Sequence, residues 1–315
     1  MNRPHNLQII LNPAASGGGG VRLQPKLEGK LTQRNIPFTL RRSEAPGHAE
    51  ALSREMAREG ADLILVVGGD GTIHEVANGL LKRETKPPPI AVVPVGTGND
   101  FYRMVGRSSD IDAILDGLLD GTVHDFDVGR VRYGGAESFF VNLFGVGVDV
   151  EVLRKRAKYP RLPGLPQYLA ALASALVTFR PVSFWASLEG IQGVDGEEIV
   201  EDRTILMAVT VGPSVGGGFL LSPEASHTDG LLDLFFVKNL GMLKLARYIP
   251  KVIKGTHQGV PELLQRKITG ATVRRSDEEP FFFEMDGEGM PDPVKSLELE
   301  VCPGIFPVLV PGGSQ

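Results

Sequence analysis

The stretch Val66-Val67-Gly68-Gly69-Asp70-Gly71-Thr72 constrains this chain more than any other. The apolar run before it, Leu63 to Val67, has the length and composition of a buried strand. The run stops abruptly at two glycines, an aspartate, a third glycine and a threonine. A helical pattern begins at once, with Ile73, Val76, Ala77 and Leu80 on one face. The glycine turn thus joins the carboxyl end of a strand to a helix N-terminus, the place where α/β sheets bind phosphates. Asp70 would repel phosphate unless a cation stood between them. The stretch points to a nucleotide-phosphate site that works with a divalent ion.

Alternation of strand and helix surrounds this element. Strands are predicted at Leu7 to Leu11, Phe38 to Leu40 and Ile90 to Val93. Helical spacing appears at Leu23, Leu27 and Leu31, at Ala49, Leu52 and Met56, and from Ile111 to Leu119. Such alternation argues for a parallel sheet flanked by helices. After about Phe126 strand-like runs dominate, among them Val128 to Tyr133, Phe139 to Leu143, Ile205 to Val211, Leu231 to Val237 and Pro280 to Met285. We therefore expect an α/β domain over residues 1–126, with 304–315 returning to it, and an antiparallel β domain over 127–303. The second domain carries inserted helices near Val150–Lys158, Gln167–Phe179 and Met242–Lys254.

Composition narrows the class. Hydrophobic residues at 42% and charged residues at 23% are those of a soluble globular protein. A net charge of −5 argues against a nucleic-acid partner. The single cysteine, Cys302, excludes an internal disulfide framework and fits the cytoplasm. The N-terminus lacks the apolar core of a signal peptide. The longest apolar stretch, Tyr168 to Phe179, is too short to span a bilayer, so any membrane role is expected to be peripheral.

Three polar turns follow strands in the first half: Asn12-Pro13-Ala14-Ala15-Ser16-Gly17, Gly68-Gly69-Asp70-Gly71-Thr72, and Pro94-Val95-Gly96-Thr97-Gly98-Asn99-Asp100. In a parallel sheet they gather on one edge. Their glycines let backbone N–H groups approach phosphate oxygens, and Thr72 and Thr97 add hydroxyl donors. Neither a Gly-x-Gly-x-x-Gly helix opening nor a Gly-Lys-Ser/Thr loop occurs, which disfavours dinucleotide dehydrogenases and P-loop enzymes. Later, Phe283-Glu284-Met285 runs into Asp286-Gly287-Glu288, two carboxylates about a glycine. A solvated hairpin turn would explain them; so would a general base held near an acceptor hydroxyl.

The ordered series resembles the diacylglycerol kinase catalytic domain family, in its soluble bacterial lipid kinase branch. The residues that carry the resemblance are Asn12-Pro13 with Ser16-Gly17, Gly68 to Thr72, Pro94 to Arg103, Gly145 to Asp149, Pro223 to Leu231 and Asp286-Gly287-Glu288. The resemblance implies a phosphofructokinase- or NAD kinase-like α/β domain and a β-sandwich, with ATP in the cleft between. It implies that Asn12, Pro13, Ala14, Ala15, Ser16, Gly17, Ser43, Gly68, Gly69, Asp70, Gly71, Thr72 and Thr97 hold ATP. It further implies a structural Mg²⁺ on Asp229, Ser226 and the carbonyl of Leu231, and a general base at Glu288 or Asp286. Asp70 would hold a catalytic Mg²⁺ bridging the ATP phosphates. The glycine run after Ser16 lacks a basic residue that some relatives place there.

On this resemblance the chain phosphorylates the hydroxyl of a membrane lipid, with diacylglycerol the default acceptor and phosphatidic acid the product. An NAD or other small-molecule kinase is the alternative enzyme, and a non-catalytic nucleotide-binding protein of the same fold is the third reading. Lys244, Arg247, Lys251 and Lys254 place a basic stripe on one helix face, either a solvated face or one that meets anionic lipid headgroups. Exposed strand edges permit a homodimer.

Overall fold

The fold is that of a computed structural model describing residues 4–312 apart from 84, 107, 109 and 163. Residues 1–3 and 313–315, which the sequence assigns to the first domain, lie outside the described residues. Contacts divide the chain into one unit of Met1–Phe126 with Gly304–Gln315 and a second of Asp127–Pro303.

In the first unit the order is β1 (Leu7–Leu11), α1 (Ala15–Gln33), β2 (Phe38–Arg42), α2 (His48–Arg58), β3 (Leu63–Gly68), α3 (Asp70–Leu81), β4 (Ile90–Pro94), α4 (Asp100–Val105) and α5 (Ile111–Asp120). β3 pairs in parallel with β1 and β4, and β1 with β2, giving the order β4-β3-β1-β2. Every residue of β1 and β3 is buried, which explains their apolar sequences, interrupted only by Gln8, whose amide donates to Asn6 Oδ1 at 2.9 Å: both sheet faces are covered. Each such side chain contributes roughly 1.5–3 kcal/mol through burial. α2 begins at Gly47, which has no side chain to cap it, so Glu75 of α3 accepts from Ala49 N at 2.9 Å instead.

β5 (Thr122–Tyr133) carries the chain into the second unit. There follow β6 (Ala136–Phe140), β7 (Leu143–Gly147), α6 (Val148–Arg156), α7 (Leu165–Thr178), β8 (Val182–Glu189), β9 (Glu198–Thr210), β10 (Leu232–Lys238), α8 (Met242–Ile253), β11 (Leu263–Ile268), β12 (Gly270–Arg275), β13 (Phe283–Met285), β14 (Glu288–Gly289) and β15 (Ser296–Val310). The pairs β5–β6, β7–β9, β8–β9, β9–β10, β10–β11, β8–β12, β12–β15, β7–β13 and β13–β14 are all antiparallel. The long β9 is shared: its first half pairs with β8, and its second half lies between β7 and β10. β15 pairs antiparallel with β12, then returns to the first unit, where Val308 pairs in parallel with Ile90.

The architecture is a parallel-stranded α/β unit and an antiparallel β-sandwich, the fold class expected. The run Phe139–Leu143, read as one strand, is in fact two. The chain breaks at Val141-Asn142 because the N–H groups of Val141, Asn142 and Leu143 turn to the Asp286 carboxylate, at 2.9 to 3.0 Å. β11 and β12 were not anticipated; Lys267, Arg266, Arg274 and Arg275 dilute their apolar pattern.

Candidate active site

The phosphate-type turns lie at the carboxyl ends of β1, β3 and β4 in the first unit, and Ser43 follows β2 on the same edge. They interlock rather than merely adjoin. Asn12 Nδ2 donates to Thr72 Oγ1 at 2.9 Å, tying the first turn to the second. Asn12 Oδ1 accepts from Ala14 N at 3.0 Å, which shapes the first turn. The second and third turns meet backbone to backbone: a Cβ at Gly96 would fall 2.7 Å from Gly69 Cα. Only glycine allows that approach.

Asp70 sits at the first position of α3, and its Oδ1 accepts from Phe101 N at 3.1 Å, near the start of α4. Thr72 is buried, whereas Thr97, Ser16 and Gly17 are exposed. Ser16 and Gly17 adopt positive φ angles, 49° and 62°, so α1 becomes a regular helix only beyond them. Arg22 Nη1 donates to the Gly17 carbonyl at 3.0 Å, which ties a basic side chain to the first turn. Asn99, in a left-handed conformation at φ 53°, donates to the Gly96 carbonyl at 3.0 Å. Its buried Oδ1 has no partner, an acceptor suited to a ligand N–H or O–H. The placement of Arg22 and the aim of Asn99 were not foreseen.

In the second unit, Asp286 and Gly287 have φ of 53° and 86° and form the two-residue turn between β13 and β14, the Asp-Gly hairpin connection. The two carboxylates of this turn differ completely. Asp286 is buried, and both its oxygens accept backbone N–H groups from Val141, Asn142 and Leu143. Glu288 is exposed.

The expected Mg²⁺ ligands Ser226, Asp229 and Leu231 lie in the turn that leads into β10. Asp229 Oδ2 meets Lys267 Nζ at 2.6 Å, and its Oδ1 accepts from Leu231 N at 3.1 Å. Ser226 Oγ accepts from Thr228 N at 3.4 Å. Lys267 also approaches Asp233 at 3.4 Å, whose carboxyl is pushed up to about 6, chiefly by burial and against the pull of that lysine. One ammonium thus bridges Asp229 and Asp233 and offsets part of their charge. Among the described residues no cluster of three or more histidine, cysteine or acidic side chains is arranged to hold a metal.

The second unit also holds a partly open, mainly apolar pocket of about 70 Å³. α7 supplies Tyr168, Leu172 and Leu176; α8 supplies Leu245, Tyr248, Ile249 and Val252; the sheet supplies Ile205, Phe235 and Val237. A pocket so lined favours hydrocarbon. Its polar end is Asp149, which accepts from Tyr168 Oη at 2.7 Å. No described helix is long and apolar enough to cross a membrane.

Comparison with known proteins follows the same division. The family model "diacylglycerol kinase catalytic domain" matches residues 6–131, and "YegS C-terminal NAD kinase beta sandwich-like domain" matches 142–310. A diacylglycerol kinase of Mycobacterium tuberculosis is 31% identical over 257 residues, 81% of this chain and 80% of that protein. One from Bacillus subtilis is 28% identical, covering 89% of each. The crystal structure of a diacylglycerol kinase from Bacillus anthracis superposes with a TM-score of 0.74 at 23% identity, covering 100% of both chains, which shows the shared fold.

Proposed function

We infer that this chain, which belongs to the diacylglycerol kinase catalytic domain family, transfers the γ-phosphoryl group of ATP to the hydroxyl of a membrane lipid. Diacylglycerol is the acceptor we place first, with phosphatidic acid as product. The observation that carries the lipid reading is the mainly apolar pocket ending at Asp149 and Tyr168. An NAD-type acceptor has no use for such a space, whereas an alkyl chain gains by leaving water for it. α8 is the wall that costs least to displace, since none of its described side chains is fully buried.

On this reading the turns of Asn12–Gly17, Gly68–Thr72 and Thr97, with Ser43, bind the ATP phosphates, and Asn99 Oδ1 receives a donor from the nucleoside. Mg²⁺ enters with ATP, as part of the nucleotide substrate, and Asp70 supplies it with a carboxylate. Phosphoryl transfer then depends on positioning and charge neutralisation more than on covalent chemistry. Glu288 takes the proton from the attacking hydroxyl. Asp286 shapes the turn, because its oxygens are engaged by backbone N–H groups. The first unit serves the donor and the second the acceptor.

The test is transfer from labelled ATP with Mg²⁺ to a panel of lipids in mixed micelles, with NAD as the soluble control. A labelled phospholipid that disappears with Asp70→Ala is expected. Labelled NADP in its place would overturn the lipid reading.

The basic stripe gives a second expectation. The apolar side of α8 packs on the sheet, and Leu243 is 89% exposed beside Lys244 and Arg247. We propose that this face meets anionic headgroups. Lys244 contributes less than the others, being paired with Glu262 at 2.8 Å. Replacing Lys244, Arg247, Lys251 and Lys254 together by glutamine should weaken binding to anionic vesicles at least about tenfold at low salt. Sedimentation showing unchanged binding would refute it.

A further inference from the structure

Glu284 is a fully buried acid that the scheme above does not use. It lies on β13, two residues before the hairpin turn that leads to Glu288. Its Oε2 accepts from Gly287 N at 2.8 Å, so the side chain reaches over the turn and fastens its second residue. Its Oε1 faces the carboxyl of Asp149: a Cβ built on Gly145 would lie 2.7 Å from Glu284 Oε1 and 2.9 Å from Asp149 Oδ2. Two ionised carboxylates offer only acceptors to one another, and Oε1 then has no hydrogen-bond partner at all. One proton placed between them turns this repulsion into a hydrogen bond. Asp149 is steadied from its other side by Tyr168 Oη at 2.7 Å.

We propose that Glu284 is a positioning residue: as a neutral acid it donates to Asp149 and holds the Gly287 N–H, fixing the hairpin turn that presents Glu288. The groups around it agree with a neutral state. α6 faces it with Asp149 and brings Arg156 Nη1 within 4.0 Å of where a Gly287 side chain would start. α7 brings the neutral Tyr168 phenol, and the hairpin itself brings Asp286. β7 contributes only the backbone of Gly145 at this point. Burial first, and the Asp149 carboxyl second, hold the Glu284 carboxyl well above the usual carboxylate range. The chain of contacts runs from the polar end of the apolar pocket, through Asp149 and Glu284, to the turn that carries Glu288.

The inference rests on the lipid kinase reading only for its kinetic consequence, so the experiment has two arms that need no substrate. In protein labelled with ¹³C at the glutamate carboxyls, one signal should lie in the protonated range near neutral pH and be absent from Glu284→Gln. The Gly287 amide should exchange with solvent slowly in wild type and in Glu284→Gln, and at least about tenfold faster in Glu284→Met, which keeps the volume and loses both hydrogen bonds. In the kinetic arm, Glu284→Gln should keep kcat within about threefold of wild type, and Glu284→Met should lose at least about tenfold with KM for ATP unchanged. An ionised Glu284 in wild type, or a Gln variant as impaired as Met, overturns the proposal. Should Glu284→Met fail to fold, the carboxyl signal and the Gln variant still decide. A wild-type enzyme that phosphorylates no lipid would sink the lipid reading and leave the carboxyl and exchange arms to judge Glu284 alone.

Discussion

Asp70→Asn is expected to lower kcat by about 10²–10³-fold while leaving the fold in place. Asp70 does two things that the substitution separates. Its Oδ1 accepts from Phe101 N at 3.1 Å, and an asparagine oxygen can keep that bond. Its charge is what asparagine removes. At the head of α3 the charge also complements the helix N-terminus, worth about 0.3–1 kcal/mol. On the proposed reading its larger service is to the divalent ion that accompanies ATP. Asp70→Ala removes the hydrogen bond as well, at about 1 kcal/mol by analogy with lost helix caps. That is too little to unfold a domain, so both variants should melt near the wild-type temperature and both should be nearly inactive. The loss should exceed that of Glu288→Gln, because a loose phosphoryl-transfer transition state asks less of a base than of its cations. Single-turnover kinetics with parallel thermal melts would check this. Wild-type kcat in Asp70→Asn would show that the carboxylate is a cap and nothing more.

The parts of this molecule legible in its sequence are those where one local rule dominates. The buried strands of the first unit read as apolar runs, broken only by Gln8 in β1, because both sheet faces are covered. The turns were legible as turns because an apolar run that stops at glycine or Asn-Pro marks where a strand ends. What could not be read depends on residues far apart in sequence. The Phe139–Leu143 run looks continuous until Asp286, more than 140 positions later, draws off its amides. Asp229 has an ion-pair partner, Lys267 of β11, that its own neighbours in sequence do not reveal. Glu284 alternates with Phe283 and Met285 as an outward-facing strand residue would, yet all three are buried because α6 packs over that face. Asp286 and Glu288, two positions apart in one turn, differ in burial in a way the sequence does not show, although the sequence reading places Glu288 first.

The structure separates their surroundings, Asp286 buried and Glu288 exposed, and the difference has a consequence for stability as large as the one proposed for catalysis. Asp286→Ala removes the acceptor for three backbone N–H groups, those of Val141, Asn142 and Leu143. Each buried donor left unpaired costs about 1–3 kcal/mol, although the three share one site and one invading water relieves part of the loss. A net destabilisation of about 3 kcal/mol or more is therefore expected. It should appear as a lower denaturant midpoint, with the chain loosening first where β6 gives way to β7. Asp286→Asn should lie between, since an amide oxygen still accepts but its NH₂ group faces donors. Glu288→Gln is the opposite case. The side chain is exposed, so stability should hardly change, while kcat should fall about 10–10²-fold through loss of the base. Measured side by side, the two substitutions should part cleanly: one melts early and retains the chemistry of whatever stays folded, the other melts normally and turns over slowly. If Asp286→Ala were as stable as wild type but inactive, the base would be Asp286, and the three amides would be satisfied by another route.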